Sequence, residues 1–306
     1  MAFWGRFWTR MVMYALGFWS IKWVYVSPDG STSAKPPTGF QERRFGGYVS
    51  NHCSWVDIVL YMSRLFPSFV AKKEVSKLPL IGAISKAMQC LFVDREARLA
   101  AATAEGGKAA ADAAAAGGGQ GMAQLVKERM ERKYSLNSAE LPMMLFPEGT
   151  TTNNKYLMPF KRGAFVAGVP VQPLVLKYRG SPRFSPTWDA MPGHLHILLT
   201  MTELSFGVTV HVLPLYEPSQ EEREDPALYA ENVRQMMVKY TKIPACEDTF
   251  ADKLEFFKYV TGRMAEEKKL KQGQGGKQGQ RPGGSGKGDE AAAGRNGGVT
   301  VHAKTS

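Results

Sequence analysis

A chain of 306 residues with 44% hydrophobic side chains can bury a full core, and this length argues for one large folded unit with appendages over two equal domains. The formal charge is +11, but residues 268–306 hold eight basic side chains against two acidic ones, which leaves a moderately basic body suited to anionic partners, phosphate-bearing cofactors, lipid headgroups and nucleic acid alike, without choosing among them. The three cysteines, Cys53, Cys90 and Cys246, are widely scattered with no C-x-x-C pair, which excludes a disulfide framework and a structural zinc site and fits a reducing compartment.

Four of the six tryptophans, Trp4, Trp8, Trp19 and Trp23, fall within the first 23 residues, interleaved with Phe3, Phe7, Tyr14 and Phe18. Indole rings favour the bilayer interface, where one edge is apolar and the other meets water. Arg6 and Arg10 lie one helical turn apart. The run from Met11 to Val26 is apolar apart from Ser20 and Lys22, shorter than the ~20 residues that span a bilayer. Residues 1–30 are therefore expected to form an N-terminal membrane-associated helix that lies on the interface or re-enters it, or the remaining end of a longer membrane segment. The competing reading is a buried core helix.

Residues 40–262 alternate short apolar runs with amphipathic segments. Strands are expected at Gly47–Ser50, Ser68–Ala71, Cys90–Val93, Pro142–Phe146, Val171–Tyr178 and Val208–Leu213, and helices at Ser54–Leu65, Pro79–Met88, Gln124–Tyr134, Phe160–Gly168 and Pro226–Tyr240. This is an α/β pattern, a mixed, mostly parallel sheet flanked by helices. An Ala/Gly-rich insert near 97–121 interrupts it, and the Gly/Gln-rich stretch 268–306 reads as a disordered basic tail. "GGK" at 106–108 lacks the Ser or Thr and the upstream glycine of a phosphate loop.

Polar residues follow these strands directly: Asn51 and His52 after the first, Asp94 and Arg95 after "CLFV", and Glu148, Gly149 and Thr150 after "MMLFP". Loops leaving the carboxyl ends of neighbouring parallel strands converge on one crevice. His52 and Asp57 admit two readings. Asp57 can close a capping box on Ser54 ahead of "IVLYM". Alternatively its carboxylate holds the imidazole in one tautomer, leaving the other ring nitrogen free to take a proton from a hydroxyl. The chain contains no G-x-S-x-G motif and no cysteine in a nucleophile setting, so the attacking hydroxyl would belong to a substrate. Lys161 and Arg162 in "PFKRGAF" read as solvated surface or as phosphate partners. His194 and His196 alternate as strand neighbours would, and without a third ligand they read as structural, so no metal is expected.

"NHCSWVD" (51–57), "LFVDRE" (91–96), "FPEGTTTN" (146–153) and "GVPVQPLVLKY" (168–178) resemble, in order and spacing, the four motifs of the glycerolipid acyltransferase family that includes lysophosphatidic acid acyltransferases. "RFSPTWDAMPGHLHILL" and "VLPLYEPSQEEREDPALYAENVRQMM" are similar to its lysophosphatidylcholine and lysophosphatidylethanolamine branch, plant and algal members above all. The likeness runs from about Gly17 to about Met264, insert excluded. It implies a glycerol-3-phosphate acyltransferase-like fold and an enzyme that esterifies a lysophospholipid, with acyl-CoA as co-substrate and no bound cofactor. It further implies that His52 and Asp57 are the acid–base pair, that Arg95, Glu148, Gly149 and Thr150 position the acceptor, and that the segment around Pro170 lies on the acyl-donor side. Partners would be membrane lipids, with no nucleic acid and no metal, and the location an endoplasmic reticulum membrane with the site open to cytosolic acyl-CoA.

The chain departs from many lysophosphatidic acid acyltransferases in having Thr151 where an arginine follows E-G-T, which favours a phosphodiester headgroup over a phosphomonoester. The alternatives are a 1-acylglycerol-3-phosphate acyltransferase and a catalytically inactive membrane-surface protein. No D-x-D-x-D-G-type loop is present, so calcium regulation through EF-hands is not expected.

Overall fold

The computed structural model describes residues 2–40, 44–93, 120–136, 139–181, 183–188, 191–257, 259, 260 and 262. The chain divides into two compact units, Met1–Lys258 and Tyr259–Ser306, and the sheet and its helices belong to the first. The tail 268–306 lies outside the described residues, as does the Ala/Gly-rich insert except for its last two positions, which begin a helix.

The strands are β1 (Phe18–Val26), β2 (Thr32–Ser33), β3 (Gly47–Ser50), β4 (Ser68–Lys72), β5 (Leu91–Val93), β6 (Met143–Leu145), β7 (Val171–Arg179) and β8 (Phe206–Val212). They form one sheet in the order β2-β1-β8-β7-β3-β6-β4-β5. Every pairing is parallel except β1 with β2 and β7 with β8. The helices are α1 (Ala2–Ala15), α2 (Val56–Met62), α3 (Ile81–Ala87), α4 (Gln120–Leu136), α5 (Gly193–Thr202), α6 (Gln220–Glu224) and α7 (Pro226–Thr241), and residues 250–257 are also helical.

Alternate strand residues feed two cores, one on each face of the sheet. Val171 and Val175 of β7, with Met143 and Leu145 of β6, pack against Met122, Val126 and Met130 of α4 and Tyr229, Val233 and Met237 of α7. Leu174, Leu176 and Met144 face the other way, against Val56, Leu60 and Tyr61 of α2 and Met13 of α1. Leu60 is fully buried, so its truncation to alanine costs about 2–5 kcal/mol.

The six strands expected from residue 40 onward are all present, with no end shifted by more than two residues. Three expectations are corrected. The N-terminal apolar run is not one helix: α1 stops at Ala15, Gly17 turns with φ +83° where a Cβ would lie 2.9 Å from the Glu203 carbonyl oxygen, and "FWSIKWVYV" continues as β1, paired from Phe18↔Phe206 to Tyr25↔Val212. A largely apolar run carries no clean period to separate helix from strand, and its β-branched and aromatic residues favour the strand. No helix among the described residues is long and apolar enough to cross a membrane. Next, "FKRGAFVAG" forms only a 3₁₀ turn over Arg162–Ala164; Gly163 and Gly168, the latter with φ +59°, weaken helical continuation. Finally, His194 and His196 lie on α5 and not on a strand. His194 is exposed while His196 is buried, held by Trp55 and by the Thr187 carbonyl oxygen.

Candidate active site

β3 ends at Ser50, yet the edge of β7 beyond Leu174 is not left bare. The Asn51 side chain accepts from Leu176 N at 2.7 Å and donates to Leu176 O at 3.1 Å. Asn154, in the left-handed region at φ +63°, donates to Leu176 O at 2.8 Å and accepts from Tyr178 N at 3.1 Å. Two amide side chains thus stand in for the missing strand and satisfy the buried backbone of β7. The consequence is a loop fixed in place at the carboxyl edge of the parallel strands, with His52 at its tip.

Asp57 sits in the first turn of α2 and is completely buried. One carboxylate oxygen, Oδ2, accepts from His52 Nδ1 at 2.8 Å, Cys53 N at 2.7 Å and Ser54 N at 3.0 Å. The other, Oδ1, accepts from the Tyr178 hydroxyl at 2.5 Å. Four donors and the positive end of a helix compensate the desolvation of this charge. The bond from Ser54 N is half of a capping box; the reciprocal half is missing, because Ser54 Oγ accepts from Val56 N at 3.3 Å instead. No side chain caps α2, whose N-cap is Trp55; the Asp57 carboxylate instead ties down the loop ahead of the helix and holds the imidazole.

With Oδ2 accepting, His52 Nδ1 is the donor, and in the neutral ring the lone pair is then on Nε2. The ring lies flat on Phe146, centroids 4.2 Å apart and planes at 19°, and its side chain keeps 20% of its surface exposed where it borders a cleft. No hydrogen bond joins Nε2 to any described residue.

Glu148 is buried, does not line the cleft, and accepts from His52 N at 2.9 Å and Met158 N at 3.1 Å. Thr152 grips the other side of the same residue, its N–H and hydroxyl donating to His52 O at 2.8 and 3.2 Å. Burial pushes the Glu148 carboxyl up to about 8; the two amides and Lys253 pull against this, while the Asp57 charge adds to it. Gly149, with φ +71°, sits so close to Lys161 that a Cβ would lie 2.6 Å from Nζ. Gly149 and Thr150 do line the cleft. Arg95 lies outside the described residues. Pro170 is at the other end of the sheet: its carbonyl oxygen accepts from Gly46 N, ahead of the first β3–β7 pair, Gly47↔Val171, so it borders the amino edge and not the His52 edge.

The cleft has a volume of about 720 Å³, within the range of small-molecule sites. Phe69 and Val70 of β4, Met122 and Val126 of α4, and Leu254 and Phe257 give it apolar walls, while Gly149, Thr150, Thr151, Lys161 and Lys253 make one polar, cationic end. Lys253 donates to the Thr151 carbonyl oxygen. Trp188 and Gly193, at the start of α5, close another side. Sequence reasoning missed Tyr178, Asn154 and Lys253. Tyr178 ends one of the four motifs and Asn154 directly follows another, but nothing local marks either, since their partners are 121 and 22 residues away.

None of the three cysteines lines the cleft. Cys53 is fully buried and accepts from Asn51 and Asn154; burial, with Asp57 and Glu148 nearby, raises its thiol well above the ordinary value. Among the described residues there is no group of three or more His, Cys, Asp or Glu side chains able to hold a metal ion. An imidazole backed by a buried carboxylate at the rim of a cleft with apolar walls is an arrangement that general acid–base chemistry can use.

Residues 46–177 match the Acyltransferase family model, which makes this part of the chain an acyltransferase-family domain. The chain is 39% identical over 274 residues to the lysophospholipid acyltransferase LPEAT1 of Arabidopsis thaliana, covering 86% of this chain and 64% of that one. It is 35% identical over 206 residues to the lysophosphatidylcholine acyltransferase of Drosophila melanogaster, covering 67% and 34% respectively, and 36% identical over the same length to lysophosphatidylcholine acyltransferase 1 of Danio rerio. The chain thus spans less than two thirds of each of these relatives. Among solved structures, the 1-acyl-sn-glycerophosphate (LPA) acyltransferase PlsC of Thermotoga maritima is similar with a TM-score of 0.40 and 19% identity over 78% of this chain and 81% of that one, a likeness too distant to bear on function.

Proposed function

We propose that this protein transfers an acyl group from acyl-CoA to the free hydroxyl of a lysophospholipid. The observation that carries the reading is the His52–Asp57 pair at the cleft, with Nδ1 committed to the carboxylate and Nε2 free. Nε2 accepts the proton of the lipid hydroxyl as its oxygen attacks the thioester carbonyl carbon. Asp57 stabilises the resulting imidazolium. As the tetrahedral intermediate collapses, the C–S bond breaks and His52 returns the proton to the departing sulfur, leaving an ester and CoA-SH. The apolar walls suit an acyl chain, and the lysine-bearing end suits the phosphates carried by both substrates.

The relatives' names and Thr151 favour lysophosphatidylethanolamine or lysophosphatidylcholine as acceptor, with lysophosphatidic acid as the alternative. Purified protein given labelled acyl-CoA and these three acceptors is expected to esterify the first two. Turnover confined to lysophosphatidic acid would overturn the headgroup assignment, and no turnover with any of them would overturn the enzyme reading.

Attachment to a membrane, in the endoplasmic reticulum as the resemblance implies, belongs to the same proposal. Phe3, Trp4, Phe7 and Trp8 of α1 are exposed, as are Leu198 and Met201 of α5 and Leu204 beyond it. Trp19, also exposed, joins these two surfaces through its indole N–H, which donates to Leu204 O at 2.9 Å. Because Gly193, at the other end of α5, lines the cleft, a bilayer against this face would bring lipid to the site. Replacing Trp4 and Trp8 together with alanine removes two interfacial indoles and is expected to lower partition onto anionic vesicles at least about tenfold, or about 1.4 kcal/mol. Flotation of the double variant equal to that of the parent would refute this docking face.

A further inference from the structure

Asp57 is held from two directions, and only one of them is the local loop. The other is Tyr178, near the end of β7, whose hydroxyl donates to Oδ1 at 2.5 Å from 121 residues away. Its side chain points to the α2 face of the sheet, the side taken by Leu174 and Leu176. Its backbone N–H is fixed by Asn154, and its ring packs edge-on against Phe18 at 5.9 Å. The titratable groups around the carboxylate are His52, the Cys53 thiol, Glu148, Tyr61 and Tyr178. Burial raises both phenols well above the ordinary tyrosine value, and the Asp57 charge adds to this, so each stays protonated. Of the two, Tyr61 shares its hydroxyl with Ser50 Oγ at 2.6 Å, and Tyr178 alone hydrogen-bonds to Asp57.

We propose that Tyr178 is a positioning residue of the reaction: its phenol locks the Asp57 carboxylate in one orientation and lowers the proton affinity of the His52–Asp57 pair. A hydrogen bond donated to Oδ1 draws negative charge away from Oδ2, so the carboxylate stabilises an imidazolium less.

The test has an arm that needs no substrate. In the purified full chain with labelled histidine, the His52 ring is titrated by NMR in the parent, in Tyr178→Phe and with 3-fluorotyrosine at position 178. The phenylalanine variant keeps the ring against Phe18 and loses the donor; the His52 midpoint is expected to rise by about half to one pH unit. Fluorotyrosine, a stronger donor of the same shape, is expected to move it the other way, which a packing defect would not do. An unchanged midpoint in both, or a shift of the same sign in both, overturns the proposal. The kinetic arm rests on the acyl-transfer reading. Tyr178→Phe is expected to lower kcat about tenfold with the KM of both substrates unchanged, to move the acid limb of the kcat/KM profile upward, and to have no further effect in an Asp57→Asn background. Absence of acyl transfer in the parent would end the functional reading and leave the NMR arm to decide this one.

Discussion

A His52→Ala protein is expected to fold as the parent does and to lose acyl transfer by at least about 10²- to 10⁴-fold in kcat, the range a general base supplies. Folding survives because the ring is partly exposed at the cleft rim and its main partner is one face of Phe146; losing such a stacked contact costs about 1 kcal/mol. The buried Asp57 is not orphaned, since Cys53 N, Ser54 N and the Tyr178 hydroxyl still donate to it. Asp57→Asn behaves differently. An amide can keep its oxygen on these three donors and turn its nitrogen to the Tyr178 hydroxyl, which can accept, but it carries no negative charge to stabilise the imidazolium. A loss of similar size is therefore expected, with some loss of stability. The two substitutions together should cost little more than the worse of them, because they disable one device. Measured rates of labelled acyl transfer decide it: a His52→Ala protein as active as the parent, under conditions where circular dichroism shows both folded, would remove the imidazole from the chemistry.

What could be read in the sequence was what local spacing encodes. His52 and Asp57 are five positions apart at a strand-to-helix junction, and that short offset lets one carboxylate hold both the imidazole and the amides of Cys53 and Ser54 between them. The strands of the folded body were legible because their apolar runs end in polar loop residues. The N-terminal run was not, because "FWSIKWVYV" is largely apolar with no clean period, and only pairing with β8 and the turn at Gly17 make it a strand. The motif containing Glu148 is recognisable, but which way the carboxylate points depends on the amides of His52 and Met158, contacts no linear pattern records. Lys253 reaches Thr151 across 102 residues and lies outside every motif.

Glu148 supplies the sharpest separation between two roles for one residue. As a contact to the acceptor lipid, its loss would raise the lysophospholipid KM and leave stability alone. The geometry leads to the opposite expectation. Glu148→Ala leaves the His52 and Met158 amides buried and unpaired, and at about 1–3 kcal/mol for each orphaned donor the protein should lose roughly 2–6 kcal/mol. A displacement of His52 by even about 1 Å costs on the order of 10²-fold in rate, so kcat falls with it. Glu148→Gln is gentler, since its carbonyl can serve one of the two amides, and it removes a titration. The folded carboxyl, raised to about 8, lies above the ordinary 4.5; between these values the native protein holds a proton that the unfolded chain releases. The stability this group contributes is therefore fully present below pH 4.5 and is lost as pH rises through about 8, with a limiting slope of about 1.4 kcal/mol per pH unit. Glutamine has no such slope. Urea unfolding of the parent and of Glu148→Gln from about pH 5 to about pH 8 should show the parent's advantage shrinking steadily with rising pH. A constant gap, together with a raised KM and an unchanged kcat, would instead place this carboxylate against the lipid.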